Sequence, residues 1–298
     1  MKIIVTGASG LVGSALCPAM EAAGHSVVRL SRSGPVSWNP ATRTIDSAAL
    51  DGIDGVVHLA GESIVGRWTA AKQERILTSR RDGTRFLAET LAALPQQPKV
   101  LVSASAIGYY GDRHDELLTE QSPAGTGFLA AVAREWEAAT NPAAATSIRV
   151  VTIRTGIVLA RNGGALPAML PPFRLGLGGP IGSGRQWWSW LSLPDLVAIY
   201  ERALTDESLS GPVNAVAPGA VTNREFTRTL GKVLGRPALL PLPAAAVKLL
   251  LGEMGVELLL AGAHVQPTAL TAAGFSFRFP ELGDALRAEL RRPGPSGA

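Results

Sequence analysis

Gly7, Gly10 and Gly13 stand three apart, between a short β-branched run at 2–6 and a helix-compatible stretch at 11–23 that Gly24 closes. This spacing suits a phosphate. The turn is tight, the backbone is bare enough for a pyrophosphate to approach, and the free N–H groups and dipole of a helix N-terminus favour the anion. Strand, glycine turn and helix in that order supply the context a lone glycine triplet lacks, and they point to nucleotide binding. An NAD site carries Asp or Glu about 20 residues on, at the end of the second strand, to hold the ribose 2′-hydroxyl. Here that place reads Leu30-Ser31-Arg32. A hydroxyl followed by a guanidinium suits a 2′-phosphate, which an acid would repel, so NADP is favoured over NAD. The plainer alternative leaves Arg29 and Arg32 as solvated strand-end charges.

Elements able to position this turn follow along the chain. Continuous apolar runs at 26–30, 55–59, 100–103 and 150–153 read as strands buried on both faces, with helical stretches between most of them, including 70–94 and 128–140. The alternation predicts an α/β fold, a Rossmann-like doubly wound parallel sheet, as an NADP-binding domain over 1–160, with a later strand around 212–217 rejoining it. From Gly163 prolines and glycines replace the alternation. Residues 161–292 read as a smaller, mainly helical C-terminal lobe on the substrate side, and 293–298 as a disordered tail.

Composition agrees with a globular protein: 298 residues, 46% hydrophobic and 17% charged, are enough for a large core. The net charge of +4 is spread without a run of five or six like charges, which argues against a nucleic-acid surface. A single cysteine, Cys17, excludes an internal disulfide framework and a Cys-based zinc site, and fits a cytoplasmic protein. The N-terminal apolar run mimics a signal peptide, but glycines interrupt it. The apolar stretch 238–262 carries Lys248, Glu253 and Glu257 and is broken by Pro241 and Pro243, so it reads as a buried helix and not a membrane span. His25, His58, His114 and His264 are too scattered for a metal, and no metal is expected.

The run Thr6-Gly7-Ala8-Ser9-Gly10-Leu11-Val12-Gly13, with His58-Leu59-Ala60-Gly61, resembles the extended and atypical short-chain dehydrogenase/reductases, which include nucleotide-sugar epimerases and dehydratases. Further motifs narrow the resemblance, over nearly the whole chain, to an atypical epimerase-like branch of the NAD-dependent epimerase/dehydratase superfamily with a C-terminal domain of unknown function. They are Leu59-Ala60-Gly61-Glu62, Ser103-Ala104-Ser105-Ala106-Ile107-Gly108-Tyr109-Tyr110-Gly111, Arg154-Thr155-Gly156-Ile157-Val158-Leu159 and the proline- and glycine-rich run from Leu170 to Gln186. The resemblance implies that the backbone at Gly7, Gly10, Leu11, Val12 and Gly13 holds the pyrophosphate and that Ser31 and Arg32 hold the 2′-phosphate. It further implies that Leu59, Ala60 and Gly61 pass under the adenine-side ribose, that Arg80 reaches back toward the cofactor, and that Val158 lies near the nicotinamide. Ser105 falls where the family's catalytic Ser orients the substrate oxygen.

The family's proton-shuttling tyrosine and the lysine four residues after it are missing: their helix has Phe128 and Val132. Dehydrogenase chemistry by that dyad is therefore excluded. Tyr109 and Tyr110, on the loop after the fourth strand, are substitutes as proton donors or as pocket wall. Glu62 is an acid or base if a dry site raises its pKa, or else a cap. Arg185, Gln186 and Trp188, with Trp187 and Trp190, form a cluster that clamps a substrate or packs as core. Asp195, after Pro194, reads as a helix cap or dipole partner. The expectation is an NADP-dependent oxidoreductase or epimerase-like enzyme moving a hydride on a small polar, sugar-like substrate. Its alternative is a non-catalytic NADP(H)-binding sensor or scaffold. A homodimer through helices flanking the sheet is expected, with neither nucleic acid nor membrane as partner.

Overall fold

The computed structural model describes residues 1–32 and 34–290, so the tail expected at 293–298 lies outside the described residues. Eight strands form the main sheet in the order Gly211–Ala215, Arg149–Thr155, Val100–Ala106, Gly55–His58, Lys2–Thr6, Ser26–Ser31, Val36–Asn39 and Thr44–Ile45. All neighbours are parallel except the last pair. From Lys2–Thr6 the chain fills one edge and then returns to fill the other. Strand order therefore reverses between Lys2–Thr6 and Gly55–His58, and the carboxyl ends of such a pair form the crevice where open α/β sheets hold ligands.

The period of two along each strand explains why these runs are apolar throughout. Ile3 and Val5 share a core with Leu16 and Met20 of the helix Leu11–Ala22 and with Ile199 of the helix Leu193–Thr205. Ile4 and Val56 share the opposite core with Phe86, Leu87 and Leu91 of the helix Ala70–Ala92.

The remaining chain is stitched to the carboxyl edge by short ladders. Ile157–Ala160 pairs with Trp190–Ser192 and Gly163–Gly164, and His264–Val265 pairs with Leu117–Leu118. Helices Ala165–Arg174, Asn223–Leu234, Ala244–Gly255 and Leu282–Leu290 make up much of the lobe. Asn223–Leu234 is bounded as its sequence dictates, with a Thr222/Glu225 capping box and a left-handed Gly235. The expectation of a buried helix within 238–262 is corrected: Ala244–Gly255 buries only Val247 and Gly255 and lies on the surface. Among the described residues no helix is long and apolar enough to cross a membrane.

His58 ties the two strands flanking the crevice. Its Nδ1 lies 2.7 Å from Thr6 Oγ1 and its Nε2 2.9 Å from Thr84 Oγ1. Burial pushes its pKa down to about 4 from 6.5. The unfolded chain therefore binds a proton below pH 6.5 that the folded chain refuses, and stability falls as the pH drops. Between pH 7 and pH 5 this costs about 2 kcal/mol. Urea unfolding at the two pH values should show that loss, and His58→Asn should remove most of it; an equal loss in the variant would place the effect elsewhere.

Candidate functional site

The turn after the first strand is shaped by close approach. Gly7 has φ +70, and a Cβ there would lie 2.8 Å from the Leu59 carbonyl carbon and the Ala60 nitrogen. A Cβ at Gly13 would collide with the Gly7 carbonyl oxygen. Gly10 N donates to Gly7 O at 3.0 Å, and no side chain caps the helix that starts at Leu11. Its first N–H groups thus stay available to an anion. Thr6 Oγ1 accepts from Leu59 N at 3.2 Å, which draws the segment 59–61 to the rim of the turn. On the other side a Cβ on Gly163 would lie 2.8 Å from Leu11 Cδ1, so the ladder containing Val158 packs against the helix start.

Past the second strand the charges are unevenly matched. Arg29 is paired with Glu21 at 2.8 Å, whereas Arg32 is exposed and makes no ion pair among the described residues. Ser31 Oγ accepts from Gly34 N at 2.7 Å. The acid close by is Glu62, whose carboxylate takes Lys72 Nζ at 2.7 Å and Arg75 Nε at 3.8 Å. The hydrogen bond from Lys72, with the charges of Lys72, Arg75 and Arg32, holds the Glu62 carboxyl below the usual range. A raised pKa at Glu62 is thereby corrected: cations surround it, and it is a paired carboxylate. Arg80 Nη1 donates to the Glu62 and Ile76 carbonyls at 2.9 and 3.2 Å, and its guanidinium lies 4.8 Å from the Trp136 ring centroid. Loss of solvation brings its pKa down to about 10, and it has no carboxylate bonded to it among the described residues.

A second cluster forms where three strand ends meet in register, Ser105 beside Arg154 and Arg154 beside Asn214. Arg154 grips Glu137 of the helix Phe128–Ala138 through Nε and Nη2, both at 2.8 Å, while Ser105 Oγ donates to the same carboxylate at 2.7 Å. Arg154 Nη1 donates to Tyr110 Oη at 3.0 Å, and that hydroxyl donates to Asn214 Oδ1 at 2.7 Å. Glu120 Oε1 accepts from Asn214 N and Ala269 N, both at 3.1 Å. Burial alone would lower the Arg154 pKa, but Glu137 and Tyr110 keep it above its ordinary value. Burial raises that of Tyr110.

Tyr109 differs from its neighbour. Its ring covers Arg154, with 3.5 Å from guanidinium carbon to ring centroid, and it is half-buried with no hydrogen-bond partner for its hydroxyl among the described residues. Ser105, Tyr109 and Tyr110 are thus gathered round Arg154, and Glu62 belongs to the separate cationic corner. Sequence reasoning missed Glu137, Asn214 and Glu120. It quoted Arg154 in a motif without giving it a role, although an arginine closing an apolar strand was the available signal.

In the C-terminal lobe, Gln186 Nε2 donates to the Ile181 and Leu259 carbonyls at 3.0 and 2.8 Å, and Arg185 is exposed and makes no ion pair among the described residues. Trp188 is buried against Phe226, and Trp190 is buried with its Nε1 donating to Gly219 O at 2.8 Å. Trp187 stacks on His264 at 3.8 Å. Phe128 meets Trp68 edge-on at 5.0 Å, and the helix it opens is capped by Glu257, whose carboxylate accepts from Phe128 N and Leu129 N at 2.7 and 2.8 Å. Asp195 accepts from Ser192 Oγ, Arg278 N and Phe279 N, a structural role.

Residues 3–216 match the NAD dependent epimerase/dehydratase family, and residues 242–289 match a domain of unknown function, DUF1731. Epimerase family protein Mb2239 of Mycobacterium bovis is 43% identical over 298 residues, covering 98% of each chain. The crystal structure of human epimerase family protein SDR39U1 (isoform2) with NADPH is 39% identical, with a TM-score of 0.89 over 97% of this chain and 98% of that one. The structure of a nucleoside-diphosphate sugar epimerase from Corynebacterium glutamicum, also 39% identical, has a TM-score of 0.81 over 97% of this chain and 58% of that one. Glycine turn, sheet order and C-terminal lobe agree with these likenesses, and the chain belongs to the NAD dependent epimerase/dehydratase family.

Proposed function

We propose that this chain binds NADP(H) and moves a hydride at a carbinol or carbonyl carbon of a small polar, sugar-like substrate. The observation that carries the reading is the Tyr109 hydroxyl. Of three tyrosines, Tyr110 and Tyr200 are buried, and Tyr109 alone stands at the carboxyl edge with its Oη uncommitted among the described residues.

The residues fit the cofactor. Leu11 and Val12 present N–H groups at an uncapped helix start, and a bare Gly7–Gly13 turn leaves room for the pyrophosphate. Ser31 and Arg32, with Lys72 and Arg75 nearby, suit a 2′-phosphate, since these cations face the single carboxylate of Glu62. Leu59, Ala60 and Gly61 would lie under the adenine-side ribose, with Arg80 packed behind Gly61, and Val158 would face the nicotinamide end. The human relative crystallised with NADPH supports this cofactor. The bound cofactor would supply the hydride.

In this reading Tyr109 Oη gives a proton to the substrate oxygen, or takes one from it, and Arg154 fixes the tyrosine ring from beneath. Ser105 donates to Glu137 and so positions Arg154. Arg185, exposed and without an ion pair among the described residues, offers a cation to an anionic substrate group, with Gln186 and Trp188 holding the wall behind it. Phe128 and Val132, where the family's dyad belongs, favour a second reading, a sensor that binds NADP(H) and does no chemistry.

Two measurements follow, the first testing the cofactor assignment and the second separating the two readings. In fluorescence titrations Arg32→Asp should weaken NADPH binding by about tenfold or more and leave NADH nearly unchanged; equal affinity of the native chain for both would sink the 2′-phosphate assignment. The absorbance of the reduced nicotinamide, followed against sugars, aldehydes, ketones and quinones with product isomers assayed in parallel, should show turnover that Tyr109→Phe lowers by about 100-fold at unchanged NADPH affinity. Tight NADPH binding with no turnover or isomerisation across the panel would establish the sensor.

A further inference from the structure

The C-terminal lobe gathers charge of one sign beside exposed leucines. Residues 163–191 and 226–252 contain no Asp or Glu and hold Arg174, Arg185, Arg228, Lys232, Arg236 and Lys248. These are six of the chain's 28 basic residues, so the other 22 are outnumbered by its 24 acids, and the net positive charge resides in these segments. Arg174, Arg228, Lys232, Arg236 and Lys248 are all exposed and make no ion pair among the described residues.

The two segments form one surface. Leu240 N donates to Gly178 O at 3.1 Å and Leu242 N to Pro180 O at 2.9 Å, while a Cβ on Gly176 would lie 3.5 Å from Pro237. Leu175 and Leu177 therefore lie alongside Leu239 and Leu240, from which the chain runs into the helix Ala244–Gly255 with Leu249 and Leu250. Leu239, Leu249, Leu250 and Leu175 are 80, 86, 74 and 74% exposed. Between the basic helix and Leu239 lies a shallow cavity of about 280 Å³ whose lining includes Arg228, Lys232 and Arg236.

We propose that this face docks on an anionic phospholipid surface, with a lipid phosphate held among Arg228, Lys232 and Arg236 and the leucines entering the headgroup and upper acyl region. Basic residues bordering leucines that stand on a surface helix are the pattern of interfacial binding, in which apolar burial and attraction to anionic lipids act together. The helix buries only Val247 and Gly255, so it is a ridge suited to a soft interface and not a groove for a partner helix. A second copy of the chain would set five unpaired cations against their own images, which charge complementarity disfavours. Docking of this kind needs no spanning helix.

Flotation of the full-length protein with vesicles tests it. Binding is expected to phosphatidylcholine vesicles containing phosphatidylglycerol and not to pure phosphatidylcholine, and to weaken as salt rises from about 0.1 to 1 M. Leu249→Gln with Leu250→Gln, and separately Lys232→Glu with Arg236→Glu, should each weaken it by about tenfold or more with the melting temperature and NADPH affinity unchanged. Equal binding to both vesicle types, or leucine variants that bind as well as the native chain, would overturn the proposal. So would displacement by millimolar inorganic phosphate alone, which would mark a free-anion pocket. A native dimer that binds no vesicle and becomes monomeric on replacing Leu249 and Leu250 would assign the face to self-association.

Discussion

The buried ion pair of Arg154 and Glu137 is the interaction on which the carboxyl ends of the strands Val100–Ala106 and Arg149–Thr155 depend. Removing two charges from water costs several kcal/mol per ion, by order of magnitude, before any attraction is counted. Here the cost is offset because four of the five guanidinium N–H groups and both carboxylate oxygens are engaged. Glu137 accepts two bonds from the guanidinium and one from Ser105, and the remaining arm of Arg154 reaches Tyr110 and the Glu120 carbonyl. The partners come from different elements. One guanidinium therefore fixes the helix Phe128–Ala138 against the strand ends, sets the loop after Val100–Ala106, and gives Tyr109 a surface to lie on.

The nucleotide side is built on another principle. There the backbone does most of the recognition: Gly7 and Gly13 bring main chain close to main chain, and the Thr6–His58–Thr84 chain of hydrogen bonds keeps the crevice walls at fixed separation. Charged side chains gather beside it at the corner of Arg32, Lys72 and Arg75 around Glu62. The glycine turn depends on backbone and packing, whereas the cluster around Arg154 depends on individual side chains.

The same division governs what was legible in the residues. The glycine spacing and the apolar runs at 2–6, 26–30, 55–59, 100–103 and 150–153 report local geometry, and the sheet contains all of them. Val36–Asn39 and Thr44–Ile45 were not legible, being four and two residues long, too short for a period to emerge. The pairing of Glu137 with Arg154 was not legible either, because it depends on which strands become neighbours and in what register. The environment of Glu62 was not legible for a related reason: Lys72 and Arg75 stand ten and thirteen residues further on, in the next helix, and only the fold brings them back to the carboxylate. The apolar stretch 238–262 shows a different limit, since hydrophobicity states what a helix prefers to leave, and only the structure states whether anything covers it.

Glu257 closes the helix that begins at Phe128, and it comes from 129 residues later in the chain. Until the C-terminal lobe docks, that helix has two N–H groups and a partial positive end with only water to satisfy them. Gly127, with φ +104, has just enough space for the carboxylate, because a Cβ there would lie 2.8 Å from Glu257 Oε1. The lobe therefore completes the secondary structure of the nucleotide half: the helix that anchors Glu137 reaches full stability only with a contact of long sequence separation in place.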